Sequence, residues 1–336
     1  MTAKPPRVVS RLFRISGLFL LILVAAMFAG ISAGSSGSGM ISVVQLILGQ
    51  PDPESMLPII IWQIRLPRVL LAALVGATLS LGGLVFQALL RNLLAEPYIL
   101  GISGGSAIGA ITGILLGLSR FPGVSLTAFL GSMATLALIL VMTSGQSVLK
   151  KESLLLSGVM VNAFCSSVIM FLISVTRDAK LHNIIFWLMG DFSTADIRQV
   201  GLLAGMLIPC FGVIFWHSQA MNLLLMGKEL ARATGLNLNI VTITLLITSS
   251  FMVSATVSYC GLIGFVGLVM PHLLRLILGP DHRILVPACI LGGGTYLIIC
   301  DLLARTLPQQ GEMPAGVVTA IIGAPLFIIL LKKPGR

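Results

Sequence analysis

Apolar residues run along this chain in blocks rather than in alternation. The blocks have the length a helix needs to cross a bilayer, about 20 residues. About ten blocks meet that criterion: 15–33, 66–90, 97–117, 124–143, 154–175, 199–216, 240–258, 261–278, 284–303 and 314–331. The pattern predicts an all-α polytopic membrane protein, a single transmembrane domain over 1–336. Two places break the regularity. Block 97–117 is rich in glycine, with Gly101, Gly104, Gly105 and Gly109, and reads as an interrupted helix that lines a cavity. Blocks 240–258 and 261–278 are separated by Tyr259-Cys260 alone, so one of them is expected to be short or bent.

Between the blocks, no polar stretch is long enough to fold alone. The longest, 34–63, opens on GSSGSG and continues as an apolar run, 40–48, that suits a short surface helix. The stretch 176–198, with Trp187, Asp191 and Asp196, reads as a second sizeable loop. The stretch 218–239 joins the sixth and seventh blocks.

Lys and Arg set the orientation. With the N-terminus inside, fourteen of the 21 basic residues fall on the inner side. They are Lys4, Arg7, Arg11, Arg14, Arg91, Lys150, Lys151, Lys228, Arg232, Arg275, Arg283, Lys332, Lys333 and Arg336. Arg65, Arg68, Arg120, Arg177, Lys180, Arg198 and Arg305 fall outside. The asymmetry predicts both termini in the cytoplasm and an even number of helices. It also accounts for the net charge of +10 without nucleic acid, because the basic residues are scattered at helix ends. Arg7, Arg11 and Arg14 before the first block resemble a signal peptide's start. That block exceeds the 7–15 residues of a signal core, so a retained helix is expected.

Composition removes the soluble classes. The chain is 57% hydrophobic and 10% charged, with mean hydropathy +1.05. Soluble domains carry roughly 25% charged residues. Five cysteines lie in or beside apolar runs without a CxxC pair and read as small packing residues. The four histidines are scattered, and His272, after Pro271, is the one placed where it could meet a substrate. No phosphate loop GxxxxGK[ST] is present, since Gly227-Lys228-Glu229 lacks the earlier glycine and the hydroxyl residue. No motif calls for a metal or a cofactor. Intramembrane acids, the mark of ion-coupled transport, are scarce, and Asp301 is the main candidate.

Three arginines stand out on the predicted outer face: Arg65, Arg68 and Arg305. Arg65 and Arg68 are one turn apart at a helix N-terminus, where the dipole adds positive potential. Such a pair attracts carboxylates through charge-assisted bonds. The bland alternative is a set of interfacial arginines reaching to headgroups. The inner segment 221–239, MNLLLMGKELARATGLNLN, mixes apolar and polar residues around Gly235. Lys228, Glu229 and Arg232 stand there on neighbouring turns. Alone, it also suits a helix lying on the lipid surface.

The segment RLPRVLLAALVGATLSLGGLVFQALLRNLLAEPYILGISGG, 65–105, resembles the permease subunit of the ABC importers for iron chelates, haem and cobalamin, the FecCD or BtuC-like family. GLIGFVGLVMPHLLRLILGPDHR, 261–283, GEMPAGVVTAIIGAPLFIILLKK, 311–333, and the 221–239 segment extend the resemblance over most of 62–333. The first 60 or so residues match by hydropathy alone. The resemblance implies a type II importer permease in the inner membrane, paired as a homodimer around a central pathway. Two separate ATPase subunits would sit inside and a substrate-binding protein outside. The chain itself would be no enzyme. Arg65, Arg68 and Arg305 would dock the binding protein, and Gly227, Lys228, Glu229, Arg232 and Gly235 would couple to the ATPases. Asn92 and Leu94 match cytoplasmic gate positions, with Leu93 standing where the family usually has proline. The cargo, siderophore, haem or cobalamin, is not legible. Two rivals are an ion-coupled secondary transporter, which needs a buried working charge, and an intramembrane enzyme, which needs a polar cluster at membrane depth.

Overall fold

The computed structural model describes residues 7–33, 57–143, 151–227, 235–308 and 311–332, and among them every regular element is a helix. The long helices are α1 (Arg7–Ser32), α2 (Leu66–Leu90), α3 (Ile102–Leu115), α4 (Ser125–Thr143), α5 (Lys151–Ser174) and α6 (Asp178–Met189). They continue as α7 (Ile197–Trp216), α8 (Ser218–Met226), α9 (Leu238–Cys260), α10 (Val266–Leu278), α11 (His282–Thr306) and α12 (Ala315–Lys332). Short π-helical leads, Ile60–Arg65 and Arg120–Val124, run into α2 and α4. Each apolar block of the sequence coincides with one helix. Among the described residues, seven helices suffice by length and composition to cross a membrane: α1, α2, α4, α5, α7, α9 and α11, with α2 and α4 counted with their leads. Shorter apolar helices fill the other three blocks: α3, α10 and the Ala315–Leu330 part of α12.

Burial sorts these helices into layers. The most apolar window of α2 is 83% buried, whereas those of α1, α5 and α7 are 17–22% buried. So α2 is the central post and the others present apolar side chains outward, as a lipid-facing surface requires. A helix apolar on all sides can only be buried or lie in lipid, and α2 is the buried case.

Small residues let the post be approached closely. A Cβ on Gly83 of α2 would lie 1.8 Å from the carbonyl oxygen of Gly267 on α10, and one on Gly76 would lie 2.2 Å from that of Gly293 on α11. Backbone touches backbone at both crossings.

Two sequence expectations are met at particular residues and one changes. Block 97–117 is interrupted at Gly101, and α3 runs unbroken from Ile102, so Gly104, Gly105 and Gly109 do not break it. Gly105 and Gly109 instead seat α3 against α4, where added Cβ atoms would meet the Thr135 hydroxyl at 1.9 Å and the Thr127 carbonyl at 2.1 Å. The irregular part lies just upstream, a single 3₁₀ turn Pro97–Leu100 closed by Gly101 at φ +69°. The stretch 176–198 is not a plain loop but holds α6, whose Ile184 and Trp187 are buried on one face. Block 261–278 begins late: 261–265 is non-helical, Phe265 takes the left-handed φ +67°, and α10 is the short partner of the pair.

Candidate functional site

The Arg65-Leu66-Pro67-Arg68 motif lies inside a continuous helical run, 60–90, where the π-helical lead passes into α2, and not at a free helix start; Pro67, which has no N–H to give, sits at the changeover. Arg65 Nη1 donates to the carbonyl oxygens of Ile31 and Ser32 at 2.8 and 3.1 Å, neutralising the C-terminal end of α1. Arg68 grips Asp301 of α11: Nε lies 3.0 and 3.2 Å from the two carboxylate oxygens, and Nη2 3.0 Å from Oδ1. Its Nη1 pairs with Glu312, just ahead of α12. Arg305, one turn beyond Asp301, places Nε 3.1 Å from Oδ2 and donates through Nη2 to the Gly30 carbonyl at 3.1 Å. One buried carboxylate thus serves two arginines.

This hub joins α1, α2, α11 and the approach to α12. Arg65, Arg68 and Arg305 are 4%, 5% and 6% exposed and Asp301 is 1% exposed, while the Glu312 side chain is 42% exposed. The arginines the sequence placed outward for a partner are withdrawn and paired within the chain. Three cations against two carboxylates leave one net positive charge, and the solvent-facing member is the acid. Asp301, the candidate for ion coupling, is not a lone intramembrane charge but the centre of this hub. Neither carboxylate could be tied to these arginines from sequence, because Arg68 and Asp301 are 233 positions apart.

At the other end of α11, the segment that follows α7 makes a second clasp. Lys228, Glu229 and Arg232 lie outside the described residues. Gly227 and Gly235 flank them with φ of +122° and +79°, values that glycine alone takes easily. Within α8, the Asn222 amide donates to Asp281 Oδ1 at 2.8 Å. Its carbonyl oxygen receives the His282 backbone N–H at 2.9 Å and lies 2.7 Å from Nδ1 of His282. A carbonyl oxygen can only accept, so Nδ1 carries the proton. Asp281 also caps α11, accepting from the Arg283 N–H at 3.0 Å and from its guanidinium. Those Arg283 bonds hold the Asp281 carboxyl at about 2, below its ordinary value. Nothing in the sequence marked Asn222.

The turn after α2 holds the two gate candidates. Arg91 adopts φ +48°, and Asn92 Oδ1 accepts the Leu94 N–H at 3.0 Å, which closes the turn around Leu93. Leu93 and Leu94 are half exposed. From there the chain folds back to the break between α9 and α10. Glu96 accepts the Phe265 N–H at 2.9 Å, and the Tyr98 hydroxyl donates to the Ile263 carbonyl at 3.0 Å. Glu96 and Tyr98 therefore tether the turn to the non-helical 261–265.

His272 sets its ring edge-on to Phe327, centroids 5.9 Å apart, in a small apolar cluster. The five cysteines are unpaired. Among the described residues no group of three or more His, Cys, Asp or Glu could hold a metal ion.

The model of the FecCD transport family matches residues 21–333. The vitamin B12 import system permease protein BtuC of Salmonella arizonae is 43% identical over 278 residues, 82% of this chain and 84% of that protein. The BtuC protein of Salmonella typhi is 41% identical over 276 residues, with the same coverage. Among solved structures, a metal-chelate type ABC transporter in an inward-facing conformation superposes with a TM-score of 0.84 at 32% identity, covering 96% of this chain and 99% of that one. PsaBC from Streptococcus pneumoniae, solved with a Fab, gives a TM-score of 0.57 at 18% identity, over 80% and 91% of the two chains, a likeness of fold alone.

Proposed function

Because this chain belongs to the FecCD transport family, we propose that it is the membrane-spanning permease through which an ABC importer moves a bulky metal chelate, whether cobalamin, haem or an iron siderophore, across the inner membrane. The observation that carries this reading is the family match over 21–333, which takes in both clasps of α11 and the segment between α7 and α9. The chain does no covalent chemistry. ATP hydrolysis belongs to two partner subunits seated against 221–239, with both termini on their side. A second copy of the chain completes the pathway, and the turn at Asn92 and Leu94 closes its inner end. Transport is alternating access: movement of α8 and the residues after it displaces the foot of α11.

The hub gives docking a definite chemistry. Arg65, Arg68 and Arg305 are too buried to reach for a partner, but Glu312 is exposed and holds Arg68. Docking of an acidic protein then amounts to exchange of one carboxylate for another on Arg68, drawn by the hub's net positive charge.

The test is reconstitution in proteoliposomes with the ATPase and binding protein. Cyanocobalamin, haem and ferrichrome are offered in turn, with ATP or with an ion gradient. ATP-dependent uptake of one of the three is the expected result. Accumulation by this chain alone, driven by a proton or sodium gradient, would establish the secondary-transporter reading instead.

A further inference from the structure

A cavity of about 320 Å³ lies at the end of α3, between that helix, the lead into α4 and α6. One face of α6 supplies a gradient of polarity along its length. Lys180 stands at its first turn, Asn183 one turn on, and Phe186 and Trp187 beyond. Arg120 faces them from the lead into α4. Trp187 is 6% exposed and forms a floor rather than a rim.

Both cations are positioned but not used up. Lys180 Nζ donates to the Leu115 carbonyl at 2.7 Å, which fixes it over the C-terminal end of α3. Arg120 Nη2 donates to Asp191 Oδ2 at 2.9 Å and makes a longer contact with the Asp191 carbonyl. A guanidinium has five N–H donors and an ammonium three. Most of them find no acceptor among the described residues. Asp191 keeps its charge: burial works against it, but bonds from Ser193 and the charge of Arg120 outweigh that and lower its pKa. Arg120, Lys180 and Asp191 together leave one net positive charge. Beside the opening, Leu116 and Leu118 are exposed apolar side chains, 69% and 42%.

Converging donors, one net positive charge, an aromatic floor and an apolar lip are what an anionic head on an apolar body requires. The volume is at the lower end of ligand pockets, which run from about 300 Å³ upward. We propose that this cavity binds the phosphate head of an anionic amphiphile, with the phosphate on Arg120, Lys180 and Asn183 and the apolar part over Leu118 and Leu116. The same chemistry can be met by a phospholipid of the surrounding leaflet or by free phosphate. The site stands independently of the transport reading, because no residue of either clasp contributes to it.

The experiment uses the full chain in neutral detergent with Trp62 and Trp216 replaced by Phe, so that Trp187 alone reports. It is titrated with monomeric dihexanoyl phosphatidylglycerol, its phosphatidylcholine counterpart, and inorganic phosphate. A saturable change in Trp187 emission with phosphatidylglycerol is expected, weakened about tenfold in K180Q by loss of a charge-assisted hydrogen bond and restored in K180R. Saturation by phosphatidylglycerol alone makes the occupant a lipid. Saturation by inorganic phosphate as well shows that the anion suffices. Should K180Q unfold, N183L carries the same expectation. Equal response to phosphatidylcholine, no saturation, or unchanged affinity in the folded variants would overturn the proposal.

Discussion

Replacing Asp301 by Asn tests the hub at its centre. The carboxylate is 1% exposed and serves Arg68 and Arg305, each about 95% removed from solvent. D301N keeps the shape and removes the charge, leaving two guanidinium groups packed together. Removing one partner of a buried ion pair costs about 3–5 kcal/mol. Here the lower end applies, because Arg68 keeps Glu312 and Arg305 keeps the Gly30 carbonyl. A loss of ~3 kcal/mol is about two powers of ten in the folded-to-unfolded ratio. Glu312→Gln is the internal control: its side chain is 42% exposed, and exposed pairs contribute roughly 0–1 kcal/mol. Equilibrium unfolding in mixed micelles, followed by tryptophan emission, reads both. Further replacing Arg68 by Met should recover part of the D301N loss, since it removes an uncompensated cation. If D301N costs less than E312Q, or if R68M deepens the loss, Asp301 is not the centre of the hub.

Three further outcomes follow from other parts of the molecule. Gly83→Val should separate α2 from α10 and lower thermal stability sharply, because its Cβ would meet the Gly267 carbonyl at 1.8 Å. Gly17→Ala, with nothing within 4 Å, should be neutral or slightly stabilising; equal effects of the two on melting temperature would contradict the packing argument. Asp281 has a folded pKa of about 2 against an ordinary 3.8, so its stabilisation is complete above the ordinary value and lost as pH falls from there through about 2. D281N should flatten that acid limb in a pH series of melting curves, and an unchanged limb would discount the Asp281 clasp. Leu224→Pro in α8, an interior proline costing about 3 kcal/mol of helix, should leave the assembled importer hydrolysing ATP without moving cargo. Normal coupling in that variant would mean that α8 does not transmit the stroke.

Much of the fold was legible because membrane helices are written in hydrophobic length, a local property. All ten blocks correspond to helices, and the RLPR motif supplies two of the three arginines of the buried hub. What escaped was of two kinds. α6 was hidden because its polar first half and six apolar residues, 184–189, make only twelve positions, too few for a membrane block. The site's wiring was hidden because its partners are remote in sequence. Asp301 lies 233 positions from Arg68 and Phe265 lies 169 from Glu96, and Asn222 gives no signal until α8 is folded against α11. Burial of the arginines escaped for the same reason: a motif shows that charges are present, but not whether they are already answered.

The two clasps of α11 have a consequence beyond stability. The helix is continuous over 25 residues, about 37 Å at 1.5 Å per residue. Pro287, its internal proline, lies near the Asp281 end, so 288–306 forms an uninterrupted shaft to the hub. A stiff shaft gripped at both ends has no private state at either one. If partners dock at the hub and at the Asn222 end, as proposed, whatever factor the first applies to binding of the second must return from the second by the same factor, since coupling free energy is reciprocal. Measuring that factor from one end therefore fixes it at the other, and the two ends form a single thermodynamic instrument rather than a sensor and an effector.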